Sequence, residues 1–89
     1  MSKRKQKLRV HETPLLEDHD ALGVYLPETH EIHIDPRLKA RKYLTILCHE
    51  LSHALRPNMP ERSSEEWAEN AGEVLSAVIW GKGFRRLAK

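Results

Sequence analysis

The chain is short of cysteine, of long apolar runs and, at both ends, of acidic residues. A lone Cys48 among 89 residues cannot form an intrachain disulfide, which favours a reducing, cytoplasmic setting. A domain of this size buries only about 60% of its unfolded surface, so a bound metal becomes the expected staple for a thin core. No apolar stretch approaches the roughly 20 residues of a membrane span, and the start MSKRKQKLRV lacks the apolar segment of a secretory signal. No membrane partner is expected.

The missing acids reveal a segregation of charge. Residues 3–9 hold five cations and residues 82–89 hold four, whereas all 13 acids lie between Glu12 and Glu73 against six cations there. The formal net charge of +2 therefore conceals an acidic body. That excludes a basic body that wraps nucleic acid, and leaves the ends as solubilising segments or as arms that touch nucleic-acid phosphates. One domain over 10–82 is expected, between a basic arm at 1–9 and a basic tail at 83–89.

The front of the chain reads as β and the back as helix. Leu8–His11 is a short strand candidate closed by Pro14, and Gly23–Leu26 and Glu31–Asp35 form a hairpin around the turn Pro27-Glu28-Thr29-His30. Alternation places Ile32 and Ile34 on one face, with Glu31, His33 and Asp35 on the other. Apolar residues at helical spacing run from about Leu38 to Leu55, where Arg56-Pro57 stops them. A second helix, capped by Ser63 or Ser64, is predicted to run to about Trp80 and to bury Trp67, Ala71, Val74 and Val78. The expected fold is α+β: a small antiparallel sheet packed on two main helices, a minimal zincin-like single domain.

The first helix contains His49-Glu50-Leu51-Ser52-His53. Two His four residues apart stand one turn above another, so both imidazoles can reach one zinc ion. Glu50 projects beside that metal, where a carboxylate can take a proton from a water on the zinc and deliver it to a leaving amine. A catalytic zinc needs a third protein ligand, and no His follows His53, which leaves Glu65, Glu66, Glu69 or Glu73 on the second helix. At about 100° per residue, Glu66 and Glu73 border the predicted apolar stripe, while Glu65 and Glu69 point away. Glu66, nearer the start of its helix, is the expected ligand, with Asn70 or Glu73 steadying a ligand. Glu69 is the main alternative, and a capping box Ser63-x-x-Glu66 is the non-metal reading.

With its Pro-turn hairpin, Thr45–Leu55 and Glu66-Trp67-Ala68-Glu69-Asn70-Ala71, the stretch from Gly23 to Val78 resembles the gluzincin metallopeptidases. It is most similar to the single-domain minigluzincins and to the core of ImmA/IrrE-type endopeptidases. The resemblance implies zinc held by His49, His53 and Glu66, with Glu50 as general base and Glu66 paired with Asn70. It also implies an extended peptide or protein substrate docked antiparallel to an edge strand, for which Glu31–Asp35 is the candidate. The helix-turn-helix or sensor module often attached to the larger enzymes is missing. No Tyr or His lies downstream to steady an oxyanion, which leaves Tyr25, His33 and Tyr43 as donors. Some minigluzincins are latent, and here the tail Gly83–Leu87 is a candidate cover for the cleft.

The function expected is a zinc-dependent metalloendopeptidase. The competing reading is a non-catalytic, zinc-stabilised module that uses its basic ends to bind a regulator or nucleic acid. His30 and His33 are expected in turn and surface roles, His11 and His19 carry no spacing signal, and Cys48 is expected in the core.

Overall fold

Period-two alternation in the front and helical periodicity in the back produce five elements: β1 (Arg9–Glu12), β2 (Gly23–Leu26), β3 (Glu31–Ile34), α1 (Ala40–Leu55) and α2 (Glu61–Gly81). The computed structural model describes residues 7–15 and 22–85. The architecture is α+β, a three-stranded sheet set against α1, with α2 packed along α1. No described helix is long and apolar enough to cross a membrane.

The sheet differs from the expected all-antiparallel one. β2 and β3 pair antiparallel, as the Pro27–His30 turn dictates, but β1 pairs parallel to β3, giving the order β1-β3-β2. β3 is therefore the central strand. Its Ile32 and Ile34 are fully buried and, with Tyr43, nucleate a core to which Leu8, Tyr25, Leu38, Ile46, Leu47, Leu51 and Ala54 add half-buried surface.

Asp35 is fully buried rather than turned outward. Its carboxylate accepts from the backbone N–H of Leu15 at 2.9 Å and of Arg37 at 2.9 Å, and pairs with the Arg37 guanidinium at 2.7 Å. Burial of a carboxylate is tolerable only with partners of this kind. The contacts tie the segment leaving β1 to the link between β3 and α1.

The α1–α2 seam departs furthest from the sequence reading. α2 buries Ser64, Ala68, Gly72 and Ser76, one small residue per turn, while Val74 and Val78 are exposed. Small side chains let the two backbones approach: a Cβ on Gly72 would lie 2.9 Å from both the N and the Cα of His49. The helix begins at Glu61 with Pro60 as its cap residue and no side-chain cap bond, so neither Ser63 nor Ser64 serves as the cap. Ser64 is inside the helix and buried, free to meet α1.

Candidate metal centre

His49 and His53 lie on the C-terminal half of α1, one turn apart, with ring centroids 5.0 Å apart and planes inclined at 69°. Both Nε2 atoms face the start of α2. Glu65 Oε1 stands 2.7 Å from His53 Nε2 and 3.8 Å from His49 Nε2. These distances bracket the roughly 3.3 Å that a tetrahedral zinc at about 2.0–2.2 Å imposes between its ligand atoms. Two imidazole nitrogens and one carboxylate oxygen are also a donor set that zinc accepts, so the residues fit the ion.

Glu65, and not the expected Glu66, is the α2 carboxylate that stands within reach of both imidazoles. Because the seam is made by Ser64, Ala68, Gly72 and Ser76, the contact face of α2 is turned well away from the Trp67, Val74 and Val78 stripe used to place the acids. Both carboxylates are exposed, but Glu65 flanks the true seam beside the His pair, while Glu66 lies about 100° further round. Glu69, Asn70 and Glu73 are exposed as well, so the predicted pairing of Glu66 with Asn70 has no counterpart at the His pair. A sequence signal for the correct phase exists in the small residues repeating every four positions, a pattern that large apolar residues obscured.

His53 is held from behind. Its Nδ1 and the Ser64 hydroxyl share a hydrogen bond of 2.7 Å, which orients the ring and leaves Nε2 facing Glu65. The Ser64 role was missed because a Ser at the front of a helix reads first as a cap. His49 is positioned through its backbone, pressed against Gly72.

Glu50 occupies a different environment from the other acids nearby. It is buried on the side of α1 that meets β2, where Gly23 permits close approach: a Cβ there would lie 2.6 Å from Ile46 Cγ2 and 3.4 Å from Glu50 Cγ. Burial, reinforced by the Glu65 carboxylate and opposed by a hydrogen bond from the Tyr25 backbone, pushes its carboxyl up to about 7. Cys48, on the neighbouring face, is buried, and burial raises its thiol too.

A cleft of about 600 Å³ opens over these groups, lined among others by Gly23, Tyr25, His49, Glu50, His53 and Glu65. The strand that borders it is β2, an edge strand, and not Glu31–Asp35, which lies in the centre of the sheet. Of the three candidate oxyanion donors only Tyr25 lines the cleft; its hydroxyl hydrogen-bonds His30 Nδ1 at 2.8 Å. Tyr43 donates instead to Glu12, and His33 lies on the sheet face opposite the Ile32 side. The tail does not cover the cleft as far as it is described: Arg85 stacks on Trp80, 3.5 Å from the ring centroid, away from the His pair. Residues 86–89, the basic arm up to Gln6 and His19 lie outside the described residues. No protein-family model, curated protein or solved structure matches the chain, which leaves side-chain geometry as the ground for a functional reading.

Proposed function

We propose that the protein is a zinc-dependent metallopeptidase of gluzincin type, working in the cytoplasm on protein or peptide substrates. One observation carries this reading: Glu50, a buried carboxylate poised near neutrality, opens into the same cleft as the His49–His53–Glu65 trio. A purely structural metal needs no carboxylate in that place.

His49, His53 and Glu65 would hold zinc, which when bound would supply Lewis acidity toward a water and a peptide carbonyl. Glu50, buried at the cleft wall, would accept a proton from a water there and pass it to the leaving amine. The walls around it, Gly23 on β2 and Ile46 on α1, limit its hydration. Ser64 fixes His53 and the Gly72 contact fixes His49, so the two rings keep their mutual geometry. An extended peptide can add along the outer edge of β2, which no other described strand pairs and which borders the cleft. Tyr25 lines the cleft and would donate toward an oxyanion once its hydroxyl leaves His30.

The test combines metal content with peptide cleavage for the wild type, Glu50→Gln, Glu65→Ala and Glu66→Ala. The reading expects Glu50→Gln to keep zinc and lose hydrolysis, Glu65→Ala to lose zinc, and Glu66→Ala to resemble the wild type. Full hydrolysis by Glu50→Gln would overturn Glu50 as the base, and a zinc-loaded wild type that cleaves no peptide would favour the competing reading, a non-catalytic zinc-stabilised interaction module.

A further inference from the structure

The sheet carries a second His-His-Glu trio. In the parallel β1–β3 pair, Arg9 stands opposite Glu31 and His11 opposite His33. These residues share the face turned away from the buried side chains of Ile32 and Ile34. His11 Nε2 lies 3.3 Å from Glu31 Oε2, His33 Nε2 lies 3.6 Å from Glu31 Oε1, and the two rings are 5.0 Å apart. One donor atom from each residue can be chosen so that all lie within 4.8 Å of one another.

From these contacts we infer that His11, His33 and Glu31 form a second site for a divalent first-row transition metal, which fastens β1 to the sheet. A second observation points the same way: Thr13 Oγ1 hydrogen-bonds His33 Nδ1 at 2.9 Å, so the ring is held from behind with its Nε2 presented to Glu31. Such an outer contact is what metal-binding imidazoles carry, and it matches the Ser64–His53 contact at the other trio. Glu31 is itself held in place, by Arg9 at 2.8 Å and Thr29 at 3.1 Å, and a carboxylate retains acceptor capacity beyond two such bonds. Imidazole with a single carboxylate favours zinc, cobalt, nickel or copper over calcium or magnesium. The strand that gains is the one in need: every residue of β1 is exposed, including Val10. The nearby Arg9 cation lowers affinity for a metal without blocking it, and the buried carboxylate closest in sequence, Asp35, is engaged by Leu15 N–H and by Arg37, which makes this a clamp rather than a reaction centre.

The test uses the untagged full chain stripped of metal. Equilibrium dialysis against zinc should load two ions per wild-type chain, and one on either His49→Ala/His53→Ala or His11→Ala/His33→Ala. In the His49→Ala/His53→Ala background, Glu31→Gln should weaken the remaining ion by at least about tenfold. A strand variant can fail to fold, so the wild type supplies its own readout. At saturating zinc, the imidazole nitrogen resonances of His11 and His33 should shift together. Unmoved His11 and His33 resonances, or no ion on His49→Ala/His53→Ala, overturns the second site. Loss of hydrolysis or of the cleft ion bears on the peptidase reading alone and leaves this one standing.

Discussion

The molecule presents the same three ligand types twice, and the two trios differ in what stands beside them. At the cleft, His49, His53 and Glu65 have the buried Glu50 as neighbour and about 600 Å³ of open space in front. On the sheet, His11, His33 and Glu31 have a guanidinium as neighbour instead. Ligand identity thus sets where a metal can sit, and the fourth side chain sets what it can do. A proton acceptor held out of water would suit a reaction centre; a cation would suit a fastening.

The sharpest way to break this contrast is to remove the neighbour and keep the ligands. Glu50→Gln should lower peptide cleavage by about 10²- to 10⁴-fold with zinc content unchanged. The same readout in His11→Ala/His33→Ala should stay close to wild type, because the sheet trio takes no part in hydrolysis. Next in size is the ligand comparison on α2. Glu65→Ala should weaken zinc by more than the roughly 10- to 100-fold that outer contacts carry, whereas Glu66→Ala should change it little; isothermal competition with a chelator measures both.

Glu50 beside the cleft trio and Glu31 in the sheet trio predict opposite pH responses in the metal-free chain. Glu50 sits above its ordinary range in the folded state, so its contribution to stability is complete below about pH 4.5 and is lost as pH rises toward about 7. Denaturant titrations should show a loss on the order of 2–3 kcal/mol across that window, absent in Glu50→Gln. Glu31 lies below its ordinary range, held there chiefly by the Thr29 hydroxyl with help from His33, Arg9 and His11. Its contribution is present above about pH 4.5 and disappears on acidification. A smaller, steric effect is expected at the seam: Gly72→Ala should cost about 1–3 kcal/mol of stability, since a methyl there meets the His49 backbone. Smallest is Ser64→Ala, expected to reduce zinc affinity by about tenfold while the fold persists.

Local patterns in the sequence announce much of this fold. The β2–β3 hairpin follows from alternation around a Pro turn, and α1 follows from apolar spacing that Arg56-Pro57 ends. The pairing of β1 has no such signature, because a parallel contact between residues 20 or so apart leaves no local mark. That is also why His11 and His33 look unrelated along the chain. For the cleft, His49, Glu50 and His53 are visible in one helical turn, but the choice between Glu65 and Glu66 depends on the rotation of α2. Large apolar residues suggested one rotation; close backbone packing through Ala68 and Gly72 enforces another. Exposed Val74 and Val78 show that a hydrophobic stripe need not be the contact face in so small a domain.

The position of β2 at the sheet margin has a consequence for handling the protein in concentrated solution. An edge that no other described strand pairs can accept an extended chain of suitable shape, and another copy of the same molecule qualifies as well as a peptide does. Self-association through β2 would then compete with ligands for the cleft, and a tight-binding peptide would keep the sample monodisperse.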